Sequence, residues 1–260
     1  MTTLSFDETS ARRVERAYMT RDVVRQREVV FGLIRLAPGE HVIDIGSGPG
    51  FLCESMADAV GPKGTVLGID ISEDFLGAAE RRNTRANLSY RRGDATALAC
   101  PDAAFDVAVS TQVLEYVADC DRALCDMRRV LRPQGRALVM ATDWDSVVWH
   151  SSDPGRMAKM LRHWEAHCAD PRLPRTLVPR LRAAGFRIEA VQGHPIVNAH
   201  FGDDVYSKGI AELLAAFVRR RVPESAKEVD GWLADLTALN AQGRYFFAST
   251  RFIFLAAKAA

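Results

Sequence analysis

Three glycines close an apolar run in the stretch Val42-Ile43-Asp44-Ile45-Gly46-Ser47-Gly48-Pro49-Gly50-Phe51-Leu52. Continuous apolar runs are how the buried strands of parallel sheets read. Glycines directly after such a run allow a tight turn and let a ligand approach the backbone. The helix expected next would offer N-terminal amides with partial positive charge. Together these features predict a nucleotide-like ligand on a strand-to-helix turn. A dinucleotide-binding loop spaces its glycines G-x-G-x-x-G. Counted from Gly46, the last glycine of that pattern falls on Phe51, whereas the glycines here stand at 46, 48 and 50. Acids end two further segments, Asp70 after Leu67-Gly68-Ile69 and Asp94 after Arg91-Arg92-Gly93.

A second set of reactive residue types is Asp143-Trp144-Asp145-Ser146-Val147-Val148-Trp149-His150. Two tryptophans, two acids and a histidine suit an aromatic or cationic partner. His150 is the candidate general base, and Asp143, Trp144 and Trp149 are candidate substrate contacts. Tyr116 is a second catalytic candidate; His194 and Tyr245 are further pocket candidates. His163 and His167 stand at i and i+4, as in a zinc site, but the motif is not H-E-x-x-H and a third ligand is not evident. An exposed amphipathic face and no metal is the reading adopted. The five cysteines include no C-x-x-C pair, which predicts reduced thiols used as small apolar packing in a cytoplasmic protein.

The elements that must position these residues follow from the punctuation. Residues 7 to 36 read as helical, closed by Pro38-Gly39. Strands are expected at His41 to Ile45, Thr65 to Ile69, Leu88 to Arg91, Phe105 to Val109 and Arg136 to Ala141. Helices are expected at about 51–60, from the Ser72 cap to about Asn83, and at about 119–131, the last stopped by Pro133-Gln134-Gly135. Beyond Ala141, helix is expected at 155–168 and 177–184, strand at 188–197, helices within 204–240, and a last strand at about 245–256. Alternating strands and helices predict a doubly wound, mostly parallel seven-stranded sheet, Rossmann-like, with helices on both faces and an α-helical lid. One domain covers 1–260: a helical lid at 1–36, a cofactor-binding core at 37–141 and an acceptor-binding half at 142–260.

The bulk numbers exclude more than they identify. Over 260 residues, 48% are hydrophobic and 26% charged, with a formal net charge of +1. This balance gives no reason to expect nucleic acid or acidic membranes as partners. No apolar run reaches the roughly 18 residues of a membrane span, and the first residues lack a signal-peptide profile.

Taken in order, the motifs resemble class I S-adenosylmethionine-dependent methyltransferases, in particular the UbiE-like branch that acts on small molecules. Asp44 with Gly46, Gly48 and Gly50 resembles the first motif. Leu67-Gly68-Ile69-Asp70 resembles the acid-ended second strand, and Arg91-Arg92-Gly93-Asp94-Ala95 the loop after the third. Phe105 to Val117 resembles the fourth motif, Arg129 to Arg136 the loop before strand five, and Arg244 to Phe252 a looser echo. The resemblance is close over about 40 to 141. It implies that Gly46, Ser47 and Gly48 pass under the methionine part of S-adenosylmethionine, whose product is S-adenosylhomocysteine. It further implies that Asp44 orders that loop, Asp70 takes the ribose, Ile71 packs on adenine, and Asp94 with the Ala95 amide reads adenine. Ser110 or Thr111 would border the sulfonium, and Tyr18 and Arg27 would close over the cofactor. The implied function is methyl transfer to a small metabolite by a monomer or homodimer. The alternatives are a protein that binds the cofactor without methylating, a methyltransferase of RNA or protein, and an NAD-dependent oxidoreductase disfavoured by Phe51 and Asp94.

Overall fold

Strands β1 (His41–Ile45), β2 (Thr65–Asp70), β3 (Leu88–Arg92) and β4 (Phe105–Thr111) form a parallel sheet, and β5 (Leu131–Thr142) continues it beside β4. The computed structural model describes residues 15–259. The order is β3-β2-β1-β4-β5, followed by antiparallel β8 (Phe247–Lys258), which pairs with β7 (Phe186–Asn198) on its other edge. The sheet therefore reverses direction of travel at β1 and β4. In open α/β sheets, that switch point at the carboxyl ends of the strands is where ligands bind.

Alternation along the strands sorts the side chains into two cores. Val42, Val107, Val109, Leu138 and Met140 face helices α1 (Arg21–Ile34) and α2 (Phe51–Val60). Ile43, Ile45, Ala108, Val139 and Ala141 face α4 (Cys120–Val130) and α6 (Pro174–Ala183). The period of two in a strand explains the division. Helix α3 (Glu73–Arg82) begins as expected, with the Ser72 side chain accepting from the Phe75 amide, and packs on β2 and β3.

A third core lies over the carboxyl ends of the strands. It joins α5 (Pro154–Glu165), α7 (Tyr206–Arg221) and α8 (Ala226–Ala241) to Val23, Trp144, Trp149, Tyr245 and Phe247. The start of α7 is capped from outside itself. The Asp22 carboxylate accepts from the Tyr206 amide and the Asn198 side-chain amide, both at 2.8 Å, and Asn198 accepts from the Ser207 amide. Orphan N–H groups at a helix start need such partners, so α1, β7 and α7 are tied at one point. At the other end of α1, Arg136 donates to the Ile34 and Arg35 carbonyls and pairs with Glu40.

Three elements differ from expectation. The helix read over 7–36 is helical at 15–18, breaks at Met19 and Thr20, and resumes as α1; its residues 7–14 lie outside the described residues. Strand β5 begins at Leu131, so Pro133-Gln134-Gly135 sits within it as an irregularity between the Phe105 and Val107 pairings. Proline offers no N–H there and Gln134 has φ +67°, which is how a strand bulges instead of ending. An additional two-residue strand, β6 (Val148–Trp149), pairs with β8 and brings the sheet to eight strands.

Candidate functional site

The turn between β1 and α2 is built by left-handed glycines. Gly46, Gly48 and Gly50 have φ of +78°, +52° and +80°. A Cβ on Gly46 would overlap the Val113 side chain, and one on Gly50 the Tyr90 hydroxyl. At Gly48 a Cβ would meet nothing nearer than the Tyr18 hydroxyl at 3.9 Å. Two of the glycines are thus required by the protein's own packing, and the middle one leaves backbone accessible to a ligand. The amides of Gly46 and Ser47 donate to the Ile69 carbonyl at 2.7 and 2.9 Å. The Asp70 carboxylate accepts from the Gly48 and Ser72 amides at 2.8 and 2.9 Å. Burial raises the Asp70 pKa, and those backbone donors oppose the rise.

Gly46, Gly48 and Asp70 line one cavity of about 850 Å³. Ile71, Phe75, Asp94, Ala95 and Thr111 line the same half of it. Ile71 is 51% exposed, an apolar side chain half open at the rim. Asp94 folds back through one oxygen to the Thr96 amide and hydroxyl, both at 2.8 Å. Beneath the loop a recess of about 30 Å³ is lined by Asp44, Gly46, Ser47, Phe51 and Thr111, with Tyr18, Gln26 and Arg27 opposite. Asp44 is buried; one oxygen accepts from the Cys53 thiol at 3.2 Å and the other has no partner. Burial drives its pKa up to about 7. The Ser47 and Ser110 hydroxyls are likewise buried without partners. Buried polar atoms without partners are uncommon and point to a missing bonding group.

The other half of the cavity is aromatic. Trp144, Trp164, Tyr116, Tyr206 and Phe217 line it, with His167, Cys168, Gln26 and Arg251. His167 stacks on Trp164 with centroids 3.7 Å apart and meets Trp144 and Tyr116 edge-on at 4.7 and 5.6 Å. Its Nδ1 faces the Trp164 carbonyl, which can only accept, so Nδ1 carries the proton and Nε2 is the acceptor nitrogen. Burial lowers its pKa to about 4. Glu115 positions this segment: its backbone carbonyl accepts from Ala169 and Asp170, and its carboxylate from the Gln112 side chain and the Thr142 amide. Burial raises Glu115 to about 7. Gln112, between the halves, has φ +60°, a strained conformation for a side chain of its size.

The predicted residues therefore divide. Tyr18, Gly46, Gly48, Asp70, Ile71, Asp94, Ala95, Thr111, Tyr116 and Trp144 line the cavity, and Asp44 and Ser47 line the recess. Gly50 shapes the turn against Tyr90, and Ser110 is buried in β4; neither is a lining residue. His150 is also outside the lining. It follows β6, with its amide on the Phe246 carbonyl, because β6 carries the chain off along β8. Asp143 is turned away to a bidentate pair with Arg175 at 2.6 and 3.1 Å. Trp149 is packed between Trp232 and Phe247, and Tyr245 on Phe201. His194 lies in β7 opposite Arg251, outside the lining. The residues missed are His167, Trp164, Gln26 and Arg251. Trp164, in the last turn of α5, and His167, in the turn just after it, were the available signal, and reading 155–168 as one helix with an exposed face concealed it. Among the described residues no cluster of three or more His, Cys, Asp or Glu side chains that could hold a metal ion occurs. Among them also, no helix is long and apolar enough to cross a membrane.

A family model described as a methyltransferase domain matches residues 43–139. An uncharacterised 37.1 kDa protein in a transposon of Streptomyces fradiae is 34% identical over 66% of this chain and 51% of its own length. The ubiquinone/menaquinone biosynthesis C-methyltransferase UbiE of Vibrio vulnificus is 38% identical over 40% of this chain and 41% of its own. The chain thus spans about half or less of the length of these relatives. Phosphoethanolamine N-methyltransferase 2 of Haemonchus contortus, solved with S-adenosyl-L-methionine, shares the fold: TM-score 0.64 and 17% identity, over 98% of this chain and 58% of that one. S-adenosyl-L-methionine is the molecule bound in that neighbour. The residues present fit it in three respects: open backbone at Gly48, unpartnered polar atoms at Asp44 and Ser47, and the half-exposed Ile71 beside Asp70 and Asp94.

Proposed function

We propose that this chain, which carries a class I S-adenosylmethionine-dependent methyltransferase domain, transfers a methyl group to a small acceptor with an aromatic body. The observation that supports this most is the continuity of the cavity. The glycine turn and Asp70 open into the same volume as Trp144, Trp164, Tyr206 and Phe217. Its size, about 850 Å³, is in the upper part of the roughly 300–1,000 Å³ span of small-ligand sites. The cofactor, when bound, supplies a methyl group already activated on a sulfonium. The protein's work is then to align and to exclude water, which can account for roughly 7–11 kcal/mol of a barrier.

Each half has a defined task in this reading. The turn at Gly46 to Gly48 and the Asp44 recess hold the methionine end, and Asp70, Ile71 and Asp94 the nucleoside end. The aromatic half clamps the acceptor and keeps water out. His167, neutral at pH 7, accepts a hydrogen bond from the acceptor through Nε2. A pKa of about 4 makes it a weak base, so it orients a nucleophile instead of deprotonating one. Burial raises the Tyr116 phenol well above its ordinary range, so it acts as a hydrogen-bond donor.

Titration calorimetry with S-adenosylhomocysteine tests the reading, followed by turnover of S-adenosylmethionine against an aromatic metabolite panel. Binding with product formation supports it. No affinity for the nucleoside overturns it.

Asp44 gives the binding step a proton signature. Its folded pKa, about 7, lies above the ordinary 3.8. The unfolded chain therefore loses this proton first, and the group reduces stability as pH rises from about 4 through 7. A cation placed beside Asp44 favours the carboxylate, so binding at pH 7 releases a fraction of a proton. Calorimetry in buffers of different ionisation enthalpy is expected to show this release. It should shrink at about pH 8.5 and in Asp44→Asn. Buffer-independent heats at pH 7 would contradict the assignment.

A further inference from the structure

Arg251 is a buried cation. It projects from β8 into the aromatic half of the cavity and is 5% exposed. The Gln26 side-chain oxygen accepts from one guanidinium nitrogen, and the Tyr206 ring lies under the guanidinium at 4.6 Å. Among the described residues no acid pairs with it. The nearby Glu115 carboxylate is held through one oxygen by Gln112 and Thr142; its other oxygen is buried without a hydrogen-bond partner, and Arg251 is close enough to lower its pKa, against the rise that burial causes, without forming an ion pair. A guanidinium stays charged in proteins and presents five donors in a planar fork. Taking it out of water without a counter-ion costs several kcal/mol. Such a group persists where an anion arrives to meet it.

On the proposed methyl-transfer function, we propose that the acceptor is an aromatic carboxylate and that Arg251, oriented by Gln26 and Tyr206, binds its carboxylate. A carboxylate matches the guanidinium fork with two parallel hydrogen bonds, stronger than neutral ones and fixed in direction. The aromatic body then lies among Trp144, Trp164 and Phe217. The cofactor's own carboxylate is the other anion to consider. The recess beneath the glycine turn is bordered by Arg27, with its guanidinium 5.0 Å from the Phe51 ring centroid, and Arg251 is not among its lining residues. Gln26 and Tyr18 border both volumes, but Arg251 itself lines only the larger cavity, and that assigns it to the acceptor.

The test is calorimetry on the protein loaded with S-adenosylhomocysteine, titrated with 1-naphthoate and with 1-naphthamide. The carboxylate is expected to bind at least tenfold more tightly than the amide. Arg251→Met should erase that preference and leave S-adenosylhomocysteine affinity unchanged; Arg251→Lys should keep part of it. Should Arg251→Met not fold, Arg251→Lys carries the test alone and is expected to weaken the carboxylate preference with S-adenosylhomocysteine affinity unchanged. Equal binding of the two probes, binding of neither, or a loss of S-adenosylhomocysteine affinity in a folded Arg251→Met would overturn the proposal. A wild-type protein that does not bind S-adenosylhomocysteine fails at the loading step, and that result counts against the proposed function itself.

Discussion

Asp70→Ala is expected to weaken S-adenosylhomocysteine binding by roughly 50-fold, about 2.3 kcal/mol. Two losses add. The carboxylate accepts from the Gly48 amide, so its removal frees the middle of the glycine turn from the end of β2. It also accepts from the Ser72 amide at the start of α3 and still has lone pairs toward the cavity. A carboxylate offers about four acceptor positions, so holding the turn and binding hydroxyls are compatible. Asp70→Asn separates the roles: one amide oxygen can retain Gly48 or Ser72, but not both with a ligand hydroxyl, so an intermediate loss is expected. The wild-type affinity should also decline as pH falls toward the raised Asp70 pKa, where the neutral acid accepts less well. Calorimetry on the three proteins measures all of this. An Asp70→Ala affinity within about twofold of wild type would remove Asp70 from the site.

The part of the site legible in the sequence is the part made by local chain geometry. Gly46, Gly48 and Gly50 are read from spacing because a turn of three left-handed residues tolerates little else, and Asp70 and Asp94 follow because strand ends converge at a sheet's switch point. Asp22 and Arg136 were not legible. Each bonds groups distant in sequence, Tyr206 and Asn198 for one and the end of α1 for the other. The acceptor half failed for the same reason. His150 lies close in sequence to β5, yet β6 takes it away, whereas His167 returns because Glu115 anchors residues 169 and 170. Hydrophobic periodicity shows that a helical face is apolar. It does not show whether that face meets a core or lines a cavity, and α5 does both through Met160 and Trp164.

The largest stability loss is expected on the lid. Trp232 on α8 is fully buried and meets Trp149 edge-on at 5.3 Å; Trp149 in turn packs on Phe247 at 4.8 Å. Trp232→Ala removes the centre of this stack and leaves a cavity, a change that costs about 3–5 kcal/mol. For a chain of this size that corresponds to a fall of about 10 °C in melting temperature, read by calorimetry or circular dichroism. The consequence for binding is the sharper test. Trp232 belongs to the core shared by α5, α7 and α8, whereas the strands bearing Asp44, Asp70 and the glycine turn are packed in the two sheet cores. Distant sites without shared partners behave additively. Affinity for S-adenosylhomocysteine should therefore stay within about twofold of wild type, while 1-naphthoate binding falls, since α5 and α7 carry Trp164, Tyr206 and Phe217. Loss of both affinities together would mean that lid and sheet unfold as one unit, and that the acceptor half is not an independently softened layer.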